Sequence, residues 1–325
     1  MIPRIRFAHL PTPVEAMPRL SALLGGPQLL VKRDDMTGLA FGGNKTRKLE
    51  FLLAEAQAQG ARTLITAGAV QSNHCRQTAA AAARFGFECL LVLTGEEPAF
   101  LSGNILLDHL FGAQVVWAGE AGREETMQRI FKRAQETGHY PYLIPYGGSN
   151  PTGAVAFAYA LQELIVQGVQ PDWIVFATSS GGTQAGLVAG ARQFGFKGRI
   201  LGISVDEPAL VIQERVAELA GRTTELIGER TSFSAADVLV NADYLGGGYG
   251  VMGKGEQEAV HLFARQEGLL LDPVYTGRVA AGLIDLVRQG FFSPDETVLF
   301  WHTGGTPAIF SDRYREMLSE GWDFP

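Results

Sequence analysis

The chain is poor in most features that would mark a specialised environment. It has two cysteines in 325 residues, Cys75 and Cys89. Two thiols cannot build a disulfide framework, and neither lies in a Cys-x-x-Cys pair of the kind that holds a metal. No uncharged apolar run approaches the roughly 20 residues needed to cross a bilayer. The opening MIPRIRFAHLPTP lacks the apolar core of a signal peptide, so a reducing cytoplasm is the expected location. Basic residues are in deficit, with a net charge of −7 and a pI of about 5.5. That argues against nucleic-acid or anionic-membrane partners, because phosphate-rich surfaces select clustered Lys and Arg. Solenoid-length repeats and low-complexity stretches are also missing.

What remains is an ordinary globular composition, 46% hydrophobic and 19% charged, with apolar residues enough for one large domain or two associated ones. Short apolar runs at Gln28–Lys32, Thr63–Ala67, Cys89–Leu93, Gln114–Trp117, Trp173–Ala177, Ile200–Val205 and Thr297–Trp301 read as strands. Between them, Arg47–Gln59, Gln77–Phe85, Arg123–Thr137, Ala154–Gln167 and Gly255–Gln266 mix apolar and charged positions at helical spacing. Such alternation predicts an α/β protein built on open parallel sheets. Residues 48–155 read as four strand–helix units that form a small domain. Residues 1–47 and 156–325 then form a larger one, with a cleft between the two. Open α/β sheets bind ligands beyond the carboxyl ends of their strands, so the loops there should carry the chemistry.

Three such loops are rich in glycine and polar side chains. In Phe41-Gly42-Gly43-Asn44-Lys45-Thr46-Arg47-Lys48 two glycines make the backbone irregular before a helix, holding Lys45 at its mouth. A lysine near a helix N-terminus and other cations has a disfavoured ammonium form, and a free amine is what imine formation requires. A solvated basic turn is the bland alternative. The chain has only six lysines, however. Lys132 and Lys197 read as surface charges, Lys32 sits among other charges, and Lys254, in a glycine-rich loop, is the nearest rival.

The second loop, Ser179-Ser180-Gly181-Gly182-Thr183, follows a strand and opens an Ala/Gly-rich helix. There Ser180, Gly181, Gly182 and Thr183 can wrap a phosphate. It matches neither the nucleotide P-loop nor G-x-G-x-x-G. Asp206, at the end of the next strand, sits where a dinucleotide-binding fold would grip a ribose, which leaves an NAD-dependent oxidoreductase as a second reading. The third loop, Gln71-Ser72-Asn73-His74, either caps a helix or grips a carboxylate at that helix N-terminus. Tyr249 and Tyr275, set among glycines or in a turn, can donate protons or pack on a ring. His302 reads as structural.

In this order the motifs resemble the D-cysteine desulfhydrase and 1-aminocyclopropane-1-carboxylate (ACC) deaminase family, among the tryptophan-synthase-β-like, fold type II, pyridoxal phosphate enzymes. The resemblance spans essentially the whole chain. It implies that Lys45 carries the cofactor as an imine and that Asn73 contacts its phenolic oxygen. It further implies that Ser180–Thr183 cradle the phosphate, that Ser72, Asn73 and His74 grip the substrate, and that Tyr249 and Tyr275 face it. Relatives are commonly homodimers. ACC deaminases carry a glutamate after the tyrosine of Asp-Pro-Val-Tyr, paired with the cofactor's ring nitrogen; here that position is Thr276. A hydroxyl does not keep the nitrogen protonated, so the ring is a weaker electron sink, sufficient when a good leaving group departs from Cβ. Thr306, read as the place of a leucine in the deaminases, points the same way. The expected reaction is β-elimination from D-cysteine to pyruvate, ammonia and hydrogen sulfide. ACC deamination, a cysteate-type sulfo-lyase reaction and a catalytically silent ligand-binding protein are the alternatives.

Overall fold

The computed structural model describes residues 2–320. Among the described residues ten strands fall into two sheets, and no helix is long and apolar enough to cross a membrane. The larger sheet collects β1 (Val14–Ala16), β2 (Gln28–Arg33), β7 (Trp173–Thr178), β8 (Arg199–Ser204), β9 (Leu239–Asn241) and β10 (Thr297–His302) in the order β1-β2-β10-β7-β8-β9. All neighbours run parallel except the edge strand β1. The smaller sheet is wholly parallel, in the order β5-β4-β3-β6, from β3 (Thr63–Ala69), β4 (Glu88–Thr94), β5 (Gln114–Trp117) and β6 (Pro141–Leu143).

The central strands are buried on both faces because helices cover both. Residues Thr63–Gly68 of β3 are all buried, as are Trp173–Phe176 of β7, the pattern that parallel sheets require. On the small sheet, α3 (Asn73–Phe85) and α2 (Asn44–Ala58) contribute Ala79, Ala82, Leu49 and Leu53 to one core. On the large sheet, α6 (Pro151–Val166) packs Val155, Phe157 and Leu161 against Ile174, Phe176 and Trp301. The other face is filled by α9 (Lys254–Glu267) and α10 (Thr276–Arg288), through Phe263, Leu283 and Ile284. Helix α7 (Gly182–Phe194) lies against α6 so closely that a Cβ on Gly186 would stand 2.0 Å from the Ala154 carbonyl oxygen.

The chain leaves the large sheet along α2 and returns along α6, and the expected boundaries at 47/48 and 155/156 fall inside these two helices. Helix α2 serves both cores, with Leu49 in the small one and Phe51 in the large one. The carboxyl ends of β2, β7 and β10 in one sheet, and of β3 and β6 in the other, bring five loops to one place.

Candidate active site

Lys45 is the second residue of α2, and its approach is shaped by glycine. Gly42 and Gly43 have φ of 65° and 123°, and a Cβ on Gly42 would stand 1.9 Å from the Asp35 carbonyl oxygen. Only glycine takes that path without strain. Two residues on, Arg47 points away from Lys45 and pins the helix to the large sheet. Its guanidinium donates to Asp34 Oδ1 and Oδ2 at 2.8 and 2.9 Å and to Glu163 at 2.9 Å, and Lys32 Nζ joins Glu163 at 2.7 Å. Lys32 is thus consumed in a buried ion network, and Lys132, Lys197 and Lys254 are exposed. The rival Lys254 is no part of the cavity.

Lys45 and Lys48, one helical turn apart, both donate to the Gly147 carbonyl, at 3.3 and 3.1 Å. Burial pulls the Lys45 amine from the usual lysine range to about 8, and the Lys48 amine well below that range with Lys45 as the next cause. The expected weakening of the Lys45 ammonium is present, but its leading cause is desolvation rather than neighbouring cations. Gly147 follows β6 in a left-handed conformation, φ 67°, and a Cβ there would lie 2.3 Å from Ser180 Oγ and 3.5 Å from Lys45 Nζ.

The cavity at Lys45 is lined by Ser72, Asn73 and His74 from the third loop, by Ser180, Gly181 and Thr183 from the second, and by Tyr275. The sequence motifs do not single out Tyr146, Gly147, Thr178 or Thr303, which line it too. Gly182 is adjacent: its N–H donates to Ser149 Oγ at 3.1 Å, and that hydroxyl lies 2.8 Å from Ser180 Oγ. Lys48 Nζ reaches the same Ser149 oxygen at 3.5 Å. Asn44 Nδ2 donates to Thr183 Oγ1 at 3.1 Å.

Ser72 both lines the cavity and caps α3, accepting from the Cys75 N–H at 3.2 Å, so cap and site are one residue. The Thr66 hydroxyl donates to the Ile144 carbonyl and therefore accepts from His74 Nε2–H, each at 2.9 Å. That assigns the tautomer and leaves Nδ1 as a buried acceptor with no partner among the described residues. Burial holds His74 neutral, well below the usual histidine range, and Lys45 and Lys48 push the same way.

Three predicted residues are placed differently. Tyr249 stands behind Tyr275, their hydroxyls 2.7 Å apart, and lines a neighbouring cleft of about 450 Å³ with Gln71 and Arg313. Thr276 does not line the cavity. Its hydroxyl donates to Asp272 Oδ1 at 2.7 Å and accepts from the Asp272 N–H at 2.8 Å, within the turn that starts α10. Thr306 gives way to Thr303: Gly304 and Gly305, φ 86° and 110°, turn the chain away after β10, so Thr303 lines the cavity and Thr306 does not. His302 is structural, held between the Leu270 carbonyl and the Gly304 N–H. Asp206 accepts from Ser179 Oγ at 2.5 Å and lies outside the lining.

A family model for pyridoxal-phosphate dependent enzymes matches residues 5–304. The chain belongs to this family. A lysine with a weakened ammonium beside a ring of hydroxyl and N–H donors suits an aldehyde that bears a phosphate. The space at Gly147, which a Cβ would fill, and the orphaned His74 Nδ1 suit a ligand there. As a pyridoxal-phosphate dependent enzyme, the chain is similar to a crystallised ACC deaminase homologue at 36% identity, with a TM-score of 0.89 over 98% of this chain and 97% of that one. Two further structures share the fold. A crystallised threonine deaminase from T.th. does so at 23% identity and a TM-score of 0.65, covering 90% and 92% of the two chains. An L-serine ammonia-lyase from Rhizomucor miehei does so at 17% and 0.70, covering 97% and 99%. The architecture is the fold type II, tryptophan-synthase-β-like one.

Proposed function

We propose that the protein catalyses β-elimination from a small β-substituted amino acid, with D-cysteine the substrate to test first. The observation that carries this reading is a chemical absence: no Asp or Glu stands among the described residues lining the Lys45 cavity. A protonated ring nitrogen would have no carboxylate to pair with, and the Asp272 carboxylate nearby is saturated by the Val274, Tyr275 and Thr276 N–H groups and the Thr276 hydroxyl. The cofactor is then a modest electron sink, matched to a leaving group that departs readily.

Pyridoxal phosphate, when bound, supplies the electron sink that acidifies the substrate's α-hydrogen. Lys45 would hold it, and Ser180, Gly181 and Thr183 in the cavity wall, with Gly182 and Ser149 beside them, would surround its phosphate. At the N-terminus of α3, Ser72 and Asn73 would orient the substrate carboxylate. The Lys45 amine, once displaced, would take the α-proton. His74 Nδ1 would accept a hydrogen bond from the substrate's thiol or amine. Tyr275 is the acid for the other side. Burial pushes its phenol and that of Tyr249 well above the usual tyrosine range, so both keep their protons until the Cβ–S bond breaks and the electron pair settles on sulfur. Tyr275 would then protonate the thiolate, and Tyr249, hydrogen-bonded to it, would relay the proton's replacement.

The test is product release: pyruvate and sulfide from D-cysteine against 2-oxobutanoate from ACC. Turnover of D-cysteine with little or none of ACC is expected. Appreciable ACC turnover without sulfide would overturn the proposal.

A further inference from the structure

Arg76, on α3, is fully buried, and the neutral oxygens it serves are those of Asn73 at the start of α3, Asn104 on the neighbouring helix Gly103–Leu110, and Gly42 in the loop before Lys45. Its Nη1 donates to Asn73 Oδ1 at 2.9 Å and to Asn104 Oδ1 at 2.8 Å, and its Nη2 to the Gly42 carbonyl at 2.8 Å. Asn104 in turn donates from Nδ2 to the same Asn73 Oδ1 at 2.9 Å and to the Gln71 carbonyl at 2.7 Å. Gln71 closes the ring by accepting from the Asn104 N–H at 2.7 Å.

A carboxamide can present either its oxygen or its nitrogen, because the two ends have nearly the same shape. Here two donors converge on Asn73 Oδ1, and flipping the amide would set N–H against N–H. We propose that Arg76 is a positioning residue, locking the Asn73 amide so that Nδ2 faces the Lys45 cavity as a donor to an anionic oxygen of the bound cofactor. The full positive charge behind Asn73 makes the pair a charge-assisted relay, stronger than a neutral amide alone. The bond to the Gly42 carbonyl ties the same guanidinium to the loop that delivers Lys45. Arg76 thereby sets the spacing between the lysine and the donor. This inference rests on the reading that the cofactor occupies this cavity.

The dissociation constant of pyridoxal phosphate separates this role from a merely structural one. It would be measured by absorbance on the full-length apo-protein for the native chain, Arg76→Gln, Asn73→Ala and the double variant, with thermal unfolding of each to show that it is folded. Arg76→Gln should weaken binding by about tenfold or more, the order expected for losing a hydrogen bond assisted by a charge. It should also shift the visible band of the bound cofactor. In the Asn73→Ala background the same change should cost less than about twofold, because the group it acts through is gone. Arg76→Lys should recover part of the affinity. Should Arg76→Gln fail to fold, Asn104→Ala removes the second donor and should show the same dependence on Asn73. Equal losses with and without Asn73, or unchanged affinity in a folded Arg76→Gln protein, would overturn the proposal. If borohydride fixes no pyridoxyl group on Lys45 of the native protein, the failure lies instead with the cofactor site.

Discussion

The Lys45 ammonium is weakened by where its charge would have to sit. An amine pulled to about 8 by burial is protonated below that pH and free above it, so capture of pyridoxal phosphate by apo-protein should speed up through pH 8 and level off beyond. An exposed lysine would still be rising toward its ordinary value near 10.4. Borohydride trapping followed by peptide mapping reads the midpoint, and Lys45→Ala should abolish the signal. The tyrosine pair makes a second claim. Tyr275→Phe removes the proton donor that lines the cavity and should lower kcat by about 10²–10⁴-fold. Tyr249→Phe, acting through the shared hydrogen bond, should lower it less, and steady-state kinetics on the accepted substrate would rank the two. Away from the chemistry, Asp108 on α4 (Gly103–Leu110) is fully buried with neither carboxylate oxygen bonded, and burial raises its carboxyl to about 8. The unfolded chain gives up that proton near pH 4, whereas the native one keeps it to about 8. Stability should therefore fall with rising pH between those values, at up to about 1.4 kcal/mol per unit. Asp108→Asn should flatten that slope in urea titrations across the range.

Helix α2 is the element on which the site turns, because one face carries Lys45 and Lys48 and another is bolted to the large sheet by Arg47. Arg47→Ala leaves Asp34 buried without its counter-charge and should cost roughly 3–5 kcal/mol, measured by urea unfolding. Cofactor affinity should fall with it as the helix mouth loosens. The seven strands long enough to show an apolar run are legible in the sequence, each to within a residue or two. The three that are not, β1, β6 and β9, are three residues each, too short for any periodicity to register. That omission explains the gap in the site. Tyr146 and Gly147 lie in the loop after β6, and a loop is searched for chemistry only if a strand is known to precede it. The signal available is Ile144-Pro145-Tyr146-Gly147-Gly148 leading to Asn150-Pro151, a glycine turn before a capped helix. Lys45, Ser72, Asn73, His74, Ser180, Gly181 and Thr183 are legible because each sits beside glycine or at a helix start after a recognisable strand, and Tyr275 because it stands in the turn Asp272-Pro273-Val274-Tyr275-Thr276-Gly277. Sequence reasoning lands on Thr306 rather than Thr303, since nothing in a string of letters shows that two glycines reverse the chain between them.

Across the molecule, the cavity draws on loops from both sheets, and its wall residues run from Asn44 to Thr303. The two sheets differ in how they can be assembled. Strands β3 to β6 are consecutive in sequence and make the small sheet by themselves, with contacts that are mostly local. The large sheet is interleaved, and β10, the last strand made, lies between β2 and β7. During synthesis the small sheet can close while the ribosome is still extending the chain. The large sheet stays split, with the hydrogen-bonding edges of β2 and β7 bare, until His302 has emerged. Cofactor capture is therefore among the last events in the life of the nascent chain, and until then the gap in that sheet is where a chaperone would have to stand guard.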